Sequence, residues 1–106
     1  MSVFEVLAEP HRRRILELLG PSECSVSDLV ERLELSQPAV SKHLRILREA
    51  GLVEVRIDAQ RRLYSVRAGP LRALDEWLAP YRNMWDTRLD DLERHLDTMG
   101  ETTPAR

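Results

Sequence analysis

The sequence predicts a mainly helical fold: a three-helix core, a β-hairpin after it, and a long C-terminal helix. Three observations carry that expectation. Residues 36–51, SQPAVSKHLRILREAG, form a capped amphipathic segment with a cationic front. After Gly51 the apolar pattern leaves the helical period and approaches alternation, as paired strands require. From Leu71 to Met99 apolar residues recur in steps of 3, 4, 3, 4, 4, 3, 4 and 3, which makes one unbroken helical seam.

Taken in order, residues 3–8 (VFEVLA) read as a short apolar helix. Pro10 can then serve as the first residue of a second helix, where a missing N–H costs little. That helix runs through HRRRILELL with Ile15, Leu18 and Leu19 on one face, and Gly20-Pro21 closes it. Ser25-Val26-Ser27-Asp28 has the S-x-x-D spacing of a capping box, so a third helix follows over 26–33 with Leu29, Val30 and Leu33 inward. Glu34-Leu35 is a tight turn into the fourth helix. Ser36 caps that helix by accepting a backbone N–H, and Pro38 falls in its first turn. Val40, Leu44 and Leu47 make its buried stripe, and Gly51 is placed to end it in a left-handed conformation.

LVEVRI and RRLYSV read as the two arms of a hairpin turning at Asp58-Ala59-Gln60, and Arg56, Arg61, Arg62 and Arg67 decorate it. Gly69-Pro70 opens the last helix, expected over about 70–98. Pro80 lies inside that span and is expected to kink or split it near residue 79. The organisation expected is therefore residues 1–68 as one domain, 69–98 as a C-terminal helix, and 99–106 as a disordered tail.

A chain of 106 residues can bury one modest core, and a dimer interface would add to it. No apolar run is long enough to span a bilayer, no signal peptide is visible, and the single Cys24 excludes an internal disulfide. A cytoplasmic protein without a membrane partner is expected. The net charge of −2 hides an uneven distribution. Residues 36–71 carry seven basic and three acidic side chains, whereas the segments on either side are each net acidic. The basic middle third contains the capped helix and the hairpin, which points to double-stranded DNA as partner. At 100° per residue, Pro38, Lys42 and Arg45 point away from the buried stripe, and Gln37, Ser41 and Arg48 flank it. Gln can read adenine and Arg guanine, while most contacts of this kind go to phosphate. The expected DNA-binding residues are Ser36, Gln37, Pro38, Ser41, Lys42, His43, Arg45, Arg61 and Arg62. His43 also has a plainer reading, as a partly buried helix residue.

Helix, helix, helix-turn-helix, basic hairpin and long helix is the order of a winged helix-turn-helix. The wording is closer than the order. LAEPHRRRILELL, SVSDLVERLELSQPAVSKHLRILREAGLVEVR and RRLYSV resemble the ArsR-type (arsenic-repressor) family of bacterial regulators over residues 3–67. The C-terminal helix, with WLAPYRNMWDTRLDDLERHL, also resembles one branch of it. The resemblance implies a homodimer, paired through its first and last helices, that represses by binding an operator; a pseudo-palindromic operator and control of its own operon are expected with it. The expected interface residues are Val3, Phe4, Leu7, Leu74, Leu78, Tyr81, Trp85, Leu89, Leu92 and Leu96. Metal-sensing members carry Cys-Val-Cys-Asp-Leu where this chain has Ser25-Val26-Ser27-Asp28-Leu29. Hydroxyls are poor ligands for soft or borderline metals, so no metal site and no cofactor are expected there.

Other features have simpler structural meanings. Asp91 and His95, four apart on an acidic helix, read as helix pairing rather than a metal site. Trp77, Tyr81 and Trp85 read as packing or interface, although an effector pocket for a small molecule stays open. Arg12, Arg13 and Arg14 read as surface charges. No Ser–His–Asp set, Gly-rich phosphate loop or paired carboxylate pocket is discernible, so an enzyme is not expected. Two alternatives remain beside the repressor. One is a winged helix used for protein–protein contact, and the other is a repressor that senses metal or redox state at a non-standard site.

Overall fold

The computed structural model describes the backbone of residues 1–102 and the side chains of residues 1–98. Five helices and three strands follow in the order α1 (Val3–Ala8), α2 (Pro10–Leu19), β1 (Cys24–Ser25), α3 (Val26–Leu33), α4 (Gln37–Glu49), β2 (Val53–Asp58), β3 (Arg61–Val66) and α5 (Ala68–Thr102). Two compact units result, Met1–Arg72 and a second from Ala73 onward.

Local chemistry explains most of the boundaries. Ser2 and Ser25 each head a complete capping box, with Glu5 and Asp28 returning the hydrogen bond to the cap N–H. Glu9 caps α2, and Pro10 stands in its first turn. At the end of α4 the Leu52 N–H donates to the Leu47 carbonyl (2.9 Å) and the Gly51 N–H to that of Arg48 (2.9 Å). This double closure needs a left-handed residue between, and Gly51 supplies it with φ 76°. α3 ends likewise at Glu34, φ 56°, where a side chain makes the conformation costly. The turn between α3 and α4 is thereby tight but strained.

The core of the first unit gathers Val6, Ile15, Leu19, Cys24, Leu29, Val40, Leu44, Leu47, Leu52, Val53 and Tyr64. Every element from α1 to β3 contributes, and α4 packs against α2, α3 and β2. The sheet order is β1-β3-β2, antiparallel throughout. The hairpin pairs Val53 with Val66 at its base and Asp58 with Arg61 at its tip.

Four expectations need correction. The sheet has a third strand, since Cys24 and Ser25 pair with Tyr64 and Leu63. Two residues carry no periodicity, so only the tertiary approach of β3 makes them a strand. Pro80 does not divide α5, which is continuous from Ala68 to Thr102. The carbonyl it leaves unpaired one turn back belongs to exposed Glu76, where water can satisfy it. The helix also runs four residues beyond the expected end at 98, so residues 99–102 of the expected tail are helical. Residues 103–106 of that tail, and the side chain of Met99, lie outside the described residues. Finally, Arg12 is buried rather than a surface charge: its Nε donates to the Val6 carbonyl at 2.8 Å. Arg13 reaches the Leu7 carbonyl, so both arginines tie α2 to the end of α1.

Candidate nucleic-acid interface

α4 is built to present one face. Val40, Leu44 and Leu47 are fully buried, and Gln37, Pro38, Ser41, Lys42, Arg45 and Arg48 are exposed. Ser36 accepts the Ala39 N–H at 3.3 Å and remains exposed itself. Capping fixes where the helix starts, and so which N–H groups and side chains its first turn offers to an anion. No described ion pair engages Lys42, Arg45 or Arg48. Their charge is available to a partner.

Arg61 and Arg62 are exposed at the tip of the β2–β3 hairpin, opposite Asp58 and Ile57 in register. Ile57 is exposed there as well. Arg56 differs from them. Its Nε and one terminal N–H donate to the two Glu23 carboxylate oxygens at 2.7 and 2.8 Å. That hydrogen-bonded pairing holds the Glu23 carboxyl below its ordinary range and raises the Arg56 guanidinium further. Arg56 therefore anchors the wing to the loop before β1.

His43 stands apart from the other expected contacts. Its side chain is only 17% exposed and lies beside Glu9 at the start of α2, with Nδ1 3.8 Å from the carboxylate. Burial pushes its imidazole toward the neutral form, partly opposed by Glu9. The inner flank of α4, not its open face, holds His43. Its placement follows from helical phase, since it lies three residues after buried Val40 and four before buried Leu47. Glu9 itself is drawn upward by partial burial, but hydrogen bonds from His11 and the Arg12 N–H outweigh this and hold it low.

At the start of α3 the Ser25 hydroxyl accepts the Asp28 N–H at 3.2 Å, and the Asp28 carboxylate accepts the Ser25 N–H at 3.0 Å. Both groups serve the cap. Cys24 is buried, and burial pushes its thiol up, away from the reactive thiolate. On α5, Asp91 is engaged by Arg94.

The element order, the capped α3–turn–α4 pair and the hairpin behind it define the class: a winged helix-turn-helix protein. A profile described as "Bacterial regulatory protein, arsR family" matches residues 9–55. The chain is 31% identical over 88 residues to the transcriptional repressor SdpR of Bacillus subtilis (strain 168), spanning 83% of this chain and 98% of that one. It is 41% identical over 76 residues to the transcriptional activator HlyU of Vibrio cholerae, spanning 72% of this chain and 70% of that one. The solved structure of an ArsR-like transcriptional regulator from Rhodococcus sp. RHA1 superimposes with a TM-score of 0.69 at 33% identity, over 88% of each chain. The chain belongs to the ArsR family of winged helix-turn-helix DNA-binding transcriptional regulators, a family of regulators rather than enzymes.

Proposed function

We propose that this chain is a homodimeric, sequence-specific transcriptional repressor that binds a pseudo-palindromic operator and controls its own operon. The observation that carries this reading is the division of α4: an apolar back consumed by the core, and a polar, cationic front left uncovered. Such a helix fits a major groove, with a second copy one helical turn away, about 34–36 Å centre to centre. Gln37 and Arg45 have the chemistry for adenine and guanine edges, and Ser36, Ser41 and Lys42 suit phosphates. Pro38, exposed in the first turn, would lie against the DNA backbone. Arg61 and Arg62 would hold the flanking backbone or minor groove. His43, turned inward, supports α4 instead of touching DNA.

The homodimer rests on apolar surface. Tyr81, Trp85, Leu89, Leu92 and Leu96 are large, apolar and exposed along α5, with Leu74 and Leu78 half-buried before them. On the first unit, Phe4 is exposed on α1, with Val3 and Leu7 half-buried beside it. Patches of this extent mark interaction surfaces. None of the described helices is long and apolar enough to cross a membrane.

SdpR's description as a repressor supports the sign of regulation, and HlyU's as an activator supports the second reading, activation. A gel shift on the DNA upstream of its own gene, with a reporter for the sign, tests the proposal. Lys42→Ala and Arg45→Ala should weaken binding without unfolding the protein. Equal affinity of both variants and wild type would remove α4 from the interface, and reporter output that rises with the protein would favour activation.

A further inference from the structure

Glu9, His11 and His43 converge although the last is more than thirty residues away in sequence. Glu9 is the N-cap of α2, His11 lies in the first turn of that helix, and His43 sits in the middle of α4. Both imidazoles turn Nδ1 toward the same carboxylate, His11 at 2.9 Å and His43 at 3.8 Å. The two rings stack with centroids 5.7 Å apart and planes at 27°. One ligand atom from each residue lies within 4.8 Å of the other two. Among the described residues, this is the place where three such side chains meet.

The His43 Nδ1 makes the cluster more than a helix cap. It is buried and has no hydrogen-bond partner, which is uncommon for a ring nitrogen withdrawn from water. The Glu9–His11 hydrogen bond and the Glu9 cap to the Arg12 N–H are complete without His43. With its proton on Nε2, the neutral His43 ring presents an Nδ1 lone pair beside a carboxylate and a second imidazole, a set of groups that can ligate a metal. A tetrahedral zinc ion, with bonds of about 2.0–2.2 Å, sets its ligand atoms roughly 3.4 Å apart. The two nitrogen-to-carboxylate distances here, 2.9 and 3.8 Å, bracket that spacing. Arg12 and Lys42 are cations whose charge acts on the His43 imidazole. The Arg12 Nε is turned away into the Val6 carbonyl, and Lys42 is on the exposed face of α4.

We propose that Glu9, His11 and His43 form a binding site for one divalent transition-metal ion, zinc rather than magnesium or calcium, with a fourth position open to water. Two imidazoles and one carboxylate are a borderline ligand set that favours zinc over the hard cations. The site is separate from the start of α3, where Ser25 and Asp28 are occupied by capping. An ion here would bridge the N-terminus of α2 to α4, one residue from Lys42 and two from Arg45. Its occupancy would therefore shift operator affinity, a consequence that rests on the DNA reading above.

The test uses the full chain stripped with chelator and titrated with cobalt(II), whose ligand-field absorption reports coordination, followed by displacement with zinc. One cobalt per chain is expected, with zinc displacing it and magnesium not. His11→Ala is the decisive variant because His11 is exposed and its loss spares the core. Removing a ligand should weaken cobalt binding at least about tenfold, and the zinc-induced rise in Tm should vanish. His43→Gln provides a second removal, and His95→Ala should bind as wild type. Undiminished cobalt binding by His11→Ala, or its loss in His95→Ala, overturns the site. Anisotropy on operator DNA then separates the two ideas. A zinc-dependent affinity change seen in wild type and absent in His11→Ala supports the regulatory consequence, and unchanged affinity overturns it. If metal-free and zinc-loaded protein both fail to bind DNA, the DNA reading falls while the cobalt result still judges the site.

Discussion

Replacing Leu89 and Leu92 together by alanine should weaken the homodimer about a thousandfold without loosening the first unit. The two side chains are 56% and 52% exposed in the single chain, so about half of each remains to be buried by a partner. Full burial of a leucine is worth about 1.5–3 kcal/mol, which leaves roughly 1 kcal/mol per side chain for association. Twofold symmetry counts every residue twice, so the pair accounts for about 4 kcal/mol of dimerisation, near three decades of dissociation constant. Alanine is the better helix former, so α5 itself should not suffer. Sedimentation velocity over a concentration series reads the monomer–dimer equilibrium directly, and circular dichroism checks helix content. A variant whose dissociation constant stays within about tenfold of wild type would refute the assignment of this face, since the burial estimate is no worse than a factor of two or three in energy. A wild-type chain that is monomeric at micromolar concentration would refute the dimer altogether.

Lys42→Ala and Arg45→Ala should each lower operator affinity at least about tenfold, and in Lys42→Ala the loss of a phosphate contact from each protomer should flatten the salt dependence by about 2 in slope. Arg56→Ala, tied instead to Glu23, should leave affinity unchanged, and fluorescence anisotropy at several salt concentrations distinguishes these outcomes. Asp28 is held below the ordinary carboxylate range by the Ser25 N–H and hydroxyl. Its contribution is complete above the unfolded carboxylate pKa and disappears as pH falls through the lower folded value. Asp28→Asn should therefore cost stability at neutral pH and converge on wild type in acid. Urea midpoints across that range check the cap, and a constant gap would refute it. Gly51→Ala, forced to φ 76°, should lose about 1–2 kcal/mol. Glu34→Gly at φ 56° should gain roughly 0.5 kcal/mol once backbone entropy is subtracted. Thermal melts of both variants decide whether the two turns are strained as described.

The parts of this fold that rest on local chemistry were legible in the sequence. The Ser25–Asp28 box and the Ser36 cap, with Pro10 before them, start helices through contacts within four residues. The left-handed Gly51 ends one the same way. Period alone separated the buried stripe of α4 from its exposed front, and so placed Gln37, Ser41, Lys42 and Arg45 where the structure has them exposed. The continuity of α5 past Pro80 was not legible. A proline's penalty is local, but whether the helix survives depends on the solvation of one freed carbonyl.

The sequence by itself determined the order of the five helices and the hairpin, the exposed face of α4 and the apolar seam of α5, because each is a matter of spacing along one helix or strand. Only the tertiary structure decided that Cys24–Ser25 joins the sheet, that Arg12 is buried against the end of α1, and that Arg56 is taken by Glu23. It also set His43 on the inner flank of α4, beside Glu9 and His11. These depend on which distant residues the packing of α1, α2, α4 and β3 brings within a few ångströms. Periodicity can say which side of a helix faces inward, but not which side chain it meets there.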